Sequence, residues 1–313
     1  MMKNQSNKEM KQFSILALML LVAITGCSAE PKQAIKNSLP ASRIIEALNK
    51  DKPLLIKDKI ITGDLDFSKV KNQYTFSTSN MVAQVNVPVT FLNCIFMGKV
   101  STTSTIEHVT VTTSFSDNLT FEACDFRGET SFDNAVIGGM VNFTGAIFNE
   151  RVSFNNIQIQ GRNAYFTSIT AGKQFSMQES LFDGNADFFK AIFKGKSSFQ
   201  GTEINGDLVL NDLKCDGKVD LSLINIKGDF LSNYAQFNEE FRLSDARIEG
   251  NTSMVNNKFI NGWMNNNRFN GQVNLTDTEI SGKLDLAGSI FGINPELSGV
   301  KGEITGLSKV GAK

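Results

Sequence analysis

Few side chains in this 313-residue chain could do chemistry. The single imidazole, His108, stands between Glu107 and Val109 in a Thr-rich stretch. A nucleophile, base and orienting acid could be assembled only around it, and its neighbours give no such arrangement. Glu239 with Glu240, or Asp183 with Asp187, offer the residue types that an acid pair cleaving glycans needs. Polar residues are, however, the default on any exposed face. Cys94, Cys124 and Cys215 show no metal-ligand spacing, and no motif implies a cofactor or a metal site. No catalytic residue is therefore assigned, and no enzyme activity is expected. The remaining candidates are aromatic: Phe166 and Phe189, and the only Trp, Trp263, which precedes Met264 and three Asn. An aromatic beside amides can stack on a sugar or receive a peptide, so Phe166, Phe189 and Trp263 are the expected partner contacts.

What positions these residues is a repeat. Phe126, Phe148, Phe193, Phe237 and Phe259 recur at about 22 residues, and Ile137, Ile159, Ile204, Ile226 and Ile248 recur midway between them. Each 22-residue unit divides into two halves of 11, and 119–294 holds sixteen such halves in a row. Such a period signals a solenoid. In Val141–Arg151 the large apolar residues take the third and eighth places, Phe143 and Phe148, with Ala146 two places before the second. Gly recurs at the tenth place, as in Gly128, Gly139, Gly161 and Gly271, where positive φ or a tight bend is expected. The register slips by one added residue near Gln174 and one missing near Gly262.

An 11-residue period can also produce a helical supercoil. Helical seams need apolar spacings of three and four, whereas these alternate five and six, and a Gly in every half opposes helix. Short extended segments separated by bends fit instead, and two halves make one four-sided coil. Coils stack about 4.8 Å apart, so like residues form columns, and eight coils would extend roughly 40 Å. Phe166 and Phe189, both read at the fourth, outward-leaning place, should sit side by side. Ser232, Thr170 and Cys215 appear where large inward residues are expected. Cys94 and Cys124 take the small inward place, either as free thiols or, if their coils are adjacent, as a disulfide.

The segments FEACDFRGE, FTGAIFNER and FFKAIFKGK, with Ala123, Ala146 or Ala191 and Phe at five-residue steps, resemble pentapeptide-repeat proteins of the five-plus-six variant. The resemblance implies an all-β fold, a right-handed quadrilateral parallel β-helix, over about two thirds of the chain. It is specific for architecture and weak for activity.

Outside the regular block, Leu54 to Phe67 reads as a first coil and Val89–Lys99 resumes it. Lys71–Pro88 and Val100–Asn118 read as strand excursions, so 54–118 forms irregular first coils. Ala41–Asn49 places Ile44, Ile45 and Leu48 on one helical face after Pro40, a short N-terminal capping helix. Residues 295–313 are expected to cap or trail from the other end.

Lys3, Lys8 and Lys11 precede a short apolar run, Phe13–Ile24, laid out like an export signal. Ile24-Thr25-Gly26-Cys27 resembles the bacterial lipobox, which implies that 1–26 is a signal peptide and that Cys27 is lipidated after cleavage. Residues 27–53 then hold the tether and the capping helix. Two or three acyl chains, at about 0.8 kcal/mol per buried CH₂, hold a protein firmly on a membrane. Ser28 after the Cys resembles outer-membrane sorting where a cell has two membranes. Loss of 1–26 takes three Lys and one Glu away and moves the net charge from −1 to −3. A chain so near neutrality has neither the basic stripe of a nucleic-acid binder nor the dense acidity of a nucleic-acid mimic.

The expected function is a membrane-anchored, non-enzymatic scaffold for a protein or glycan partner in the cell envelope, with end-to-end self-association open to it. A polysaccharide-active β-helix enzyme is the alternative. A DNA-mimic topoisomerase inhibitor would require a cytoplasmic protein.

Overall fold

The repeat is realised as a winding with four flat sides. The structure, a computed structural model, describes residues 37–307. One coil shows the plan: Val141–Asn142 forms the first side, Ile147–Phe148 the second, Val152–Ser153 the third and Gln158–Ile159 the fourth. Each two-residue strand pairs in parallel with its equivalent one coil away, as Leu119 with Val141 and Ile137 with Ile159. Side chains alternate in and out along a strand, so the first, third, sixth and eighth places of each half, as Val141, Phe143, Ala146 and Phe148, converge on the axis. The Phe126 and Phe148 rings lie stacked with centroids 4.8 Å apart. The column Phe91, Phe121, Phe143, Phe166, Phe188 stacks at 4.7–5.5 Å along the first side. The chain is the four-sided β-solenoid of about 22 residues per turn that the sequence leads one to expect.

Every half turns a corner at positive φ. Asn134, Asn156, Ser168, Glu179, Lys190, Asp212, Leu223 and Tyr234 have φ of 52–61°, at steps of 11 or multiples of it, with one step lengthened by a residue. This place follows two residues after the third-place side chain, and glycine fills it only at positions such as Gly145 and Gly201. The tenth-place glycines do a different job from the expected one. Gly128, Gly161 and Gly271 lack positive φ; a Cβ on each would collide with the carbonyl of Gly98, Gly139 or Gly250 in the coil below. They permit close stacking of the corners rather than a left-handed bend.

The added residue lies between Ile159 and Ala164, because Ile137 pairs with Ile159 at 22 residues whereas Val141 pairs with Ala164 at 23. The expectation near Gln174 was therefore misplaced, and residues in between were read one place off. The missing residue falls where expected: Phe237 pairs with Phe259 but Phe241 with Gly262. Gly262 leaves a gap in its inward column that Leu284 and Phe241 approach from the two neighbouring coils.

Leu54–Lys57 pairs with Val89–Leu92, and Ile61 with Phe96, so the first coil exists as expected and stacks directly on the second. The excursions are β-hairpins, Gln73–Ser77 with Asn80–Val85 and Thr103–Ile106 with Val109–Phe115. They do not wholly leave the winding. Their second strands pair in parallel with each other and supply the fourth side, where Val85 and Phe115 continue the column to Ile137.

Helix α1, Ala41–Leu48, buries Ala41, Ile44 and Leu48 and packs on the strands Leu54–Lys57 and Leu65–Asp66, covering the first coil. At the other end, Asn274 bridges Glu296 and Lys301–Thr305 pairs in parallel with Glu279–Asp285. Residues 296–305 thus continue the winding instead of capping it.

These coils belong to one compact unit that begins at Leu39. The expected signal peptide 1–26, the expected lipidation site Cys27 and the expected tether up to residue 36 lie outside the described residues. Among the described residues no helix is long and apolar enough to cross a membrane.

Candidate binding face

One of the three aromatic candidates takes a position other than the one expected. Phe166 is fully buried, stacked between Phe143 and Phe188. The misplaced insertion had assigned it the outward fourth place, whereas it holds the inward third, and no Phe pair exists on the surface. Phe189 is half-buried at the outward place, with the Lys190 ammonium 4.8 Å from its ring centre. Thr170 was likewise misread: it faces outward beside Ile147, and Ala171 occupies the Phe column between Phe148 and Phe193. Phe175 compensates from the third side by stacking on Phe193 at 4.7 Å. Ser232 is inward as expected; two residues earlier, buried Phe230 takes a first-side place that Leu208 and Thr252 hold in the neighbouring coils.

Trp263 is half-buried on the third side, with the Arg242 guanidinium 5.9 Å from its ring centre. The three Asn after Met264 divide the labour. Asn265 links Ser244 to Asp285, Asn266 turns the corner at φ 57°, and buried Asn267 accepts the Ala246 N–H at 2.8 Å.

Trp263 also belongs to a column that sequence reasoning missed. The third side presents outward, coil after coil, Asp66, Ser101, Ser131, Ser153, Ser176, Ser198, Asp220, Arg242, Trp263, Asp285 and Thr305. Five consecutive rungs are serine. The clue was present as serines at the second place of alternate halves, but the aromatic periodicity is louder. Ser153 donates to Asp133 at 2.9 Å, Ser176 to Asn155 at 2.6 Å, and Gln178 to Ser198 at 2.8 Å. A second ladder of acid and amide groups thus runs beside the hydroxyls.

Along this side the surface is concave. A cavity of about 580 Å³ runs from Asp64 to Gln178, and a second of about 260 Å³ shares Gln174 and Gln178 with it and continues to Arg242. One rim is a row of paired charges. Glu129 sits between Lys99 and Arg151, both at 3.0 Å, and Glu240 between Arg242 at 2.8 Å and Lys218 at 3.2 Å. Hydrogen bonds from Lys99 and Arg151 hold the Glu129 carboxyl below its ordinary value, and Arg242 with Lys218 does the same for Glu240.

That pairing bears on catalysis. Glu240 stays ionised, so it is no proton donor, and Glu239 beside it is exposed. Asp183 follows the fourth-side strand and Asp187 lies in a first-side strand, so the second carboxylate pair does not face one substrate. His108 and Glu107, both at positive φ, form the exposed tip of the second hairpin. Among the described residues no group of three His, Cys, Asp or Glu side chains could hold a metal ion.

Cys94, Cys124 and Cys215 are buried free thiols. Cys94 and Cys124 fall in adjacent coils, since Ile95 pairs with Asp125. A hydrogen bond from Cys124 draws the Cys94 thiol down to about 7, while that bond and burial push Cys124 up. Burial pushes Cys215 up as well.

Residues 112–158 match the family model described as pentapeptide repeats, in nine copies. Over that stretch the chain is similar to pentapeptide repeats. Searches of curated proteins and of solved structures returned no match. The pentapeptide-repeat solenoid is in general a non-catalytic scaffold, and the structure extends its pattern well beyond the matched stretch, from Leu54 to Thr305.

Proposed function

We propose that this pentapeptide-repeat solenoid is a lipid-anchored binding scaffold of the bacterial cell envelope that engages its partner along the third side. The observation that carries the reading is the outward serine column inside a continuous groove. Outward places contribute little to the fold, so one chemistry kept over five rungs points to a use. The anchor rests on the lipobox-like run ending at Cys27, and the address on the signal-like segment before it. Side-chain pairing along the groove rim favours binding over turnover, because Glu240, one of the candidate acids, is paired with Lys218 and Arg242.

The anchor is tested by fractionating cells that express the wild type or Cys27→Ala, with labelled palmitate in the medium. Label on the wild type in the membrane fraction and unlabelled, displaced Cys27→Ala support the reading. An unlabelled wild type in the cytoplasm would remove it.

A further inference from the structure

We infer that the third side binds a neutral, extended polysaccharide laid lengthwise in its groove, with Trp263 as a stacking platform just beyond the groove's Arg242 end. This rests on the third side being the working face.

Three features of the groove select that ligand. The first is its period. Equivalent groups recur once per coil, about 4.8 Å apart, which is close to the advance of one sugar in an extended β-linked pyranose chain. From Asp66 to Thr305 the column has ten intervals, a track of about 48 Å.

The second is charge. The two cavities together are lined by six basic residues and six acidic ones, and the rim groups Lys99, Glu129, Arg151, Lys218 and Glu240 are paired with one another. A polyanion such as nucleic acid or an acidic glycan would have to break these pairs, and a groove of zero net charge offers it no attraction.

The third is the mixture of hydrogen-bonding capacity. Ser153 spends its hydrogen on Asp133 and retains acceptor lone pairs, whereas Ser176, 6% exposed, spends its own on Asn155 and is largely covered. Asn155 spends its oxygen on Ser176 and the Gln178 N–H and retains its NH₂. Ser198 accepts from Gln178 and retains its hydroxyl hydrogen. Hydroxyls both donate and accept, so sugars can satisfy all of these in turn. At Trp263 the indole stands outward in the same column, and aromatic faces take the apolar face of a pyranose.

The test uses the full-length chain in detergent, titrated with chitohexaose, cellohexaose and maltohexaose, and with polygalacturonate as the charged arm. At least one neutral hexamer should bind. Trp263→Ala should weaken it about tenfold, the loss of one good stacking contact. Ser153→Arg, which fills the groove without touching the core, should abolish binding, and Gln158→Arg on the fourth side should leave it unchanged. Thermal unfolding of each variant verifies the fold. No binding of any neutral hexamer, preference for polygalacturonate, or equal sensitivity to Gln158→Arg would overturn the inference. A protein partner crosslinked to the third side would end the glycan assignment while leaving that side as the working face.

Discussion

The third and fourth sides are built on the same backbone plan, yet their outward columns differ in kind. Down the fourth side the outward residues run Gln84, Ser114, Val136, Gln158, Leu181, Glu203, Asn225, Arg247, Arg268 and Ile290, with no residue type kept beyond the pair Arg247 and Arg268. The third side repeats serine for five rungs and then passes through Asp and Arg to Trp263. Inward columns on both sides are mostly apolar, with Thr130 and Ser197 as polar members on the third, because the fold demands it: each buried large apolar side chain contributes about 1.5–3 kcal/mol. Outward columns face no such demand, so the fourth side shows what drift looks like and the third shows what departs from it.

The comparison fails if the serine ladder is itself structural, and stability measurements decide that. Phe143→Ala, an inward change that removes a ring touching Phe121, Phe132, Phe154 and Phe166, should cost about 3–5 kcal/mol. Repeat arrays need not unfold in one step, so hydrogen exchange within that coil is the appropriate readout. Asn267→Leu should cost about 1–3 kcal/mol, because the Ala246 N–H and the Leu243 carbonyl lose their buried partner. Asp133→Ala should cost about 1 kcal/mol through the Asn155 N–H it leaves open. Ser153→Ala should stay within about 0.5 kcal/mol, as surface changes do. A larger loss there would make the ladder a stabilising device and withdraw the argument from drift.

Two titrations sharpen the picture with smaller effects. The thiolate of Cys94, followed by ultraviolet absorbance, should appear near pH 7 and shift upward in Cys124→Ala, since the hydrogen bond from Cys124 is its first cause. An unchanged midpoint would mean that the two thiols do not interact. For Glu240 the folded-state value lies below the unfolded one, so its pairing contributes stability above the unfolded carboxylate value. That contribution is lost as pH falls through the folded value. Glu240→Gln should remove this small acid-side loss, visible in unfolding midpoints between about pH 5 and 3.

Much of the fold was legible in the sequence because columns of like residues are imposed by stacking. The Phe and Ile columns, the helix at Ala41–Leu48, the first coil at Leu54–Phe67 and the deletion near Gly262 all follow from periodic apolar places. The insertion was misplaced because Gly161, Arg162 and Asn163 sit at a corner, where an extra residue costs little and leaves no apolar mark. Phe166 and Thr170 were misread in consequence. The tenth-place glycines were given the wrong reason, since crowding between coils is a property of the stack and not of one chain segment. The groove was nearly invisible, because its serines carry no hydrophobic signal and gain meaning only when five coils lie side by side. Trp263 was recognised, but its column was not.

The most direct measurement places one arginine on each side of a single coil, as Asn142→Arg, Ile147→Arg, Ser153→Arg and Gln158→Arg, and compares in-cell crosslinking of each to envelope material. Asn142, Ile147, Ser153 and Gln158 all point outward, one per side. A third-side working face predicts that Ser153→Arg alone loses the crosslinked product at unchanged protein level. Loss with any of the other three, or retention with Ser153→Arg, would contradict it.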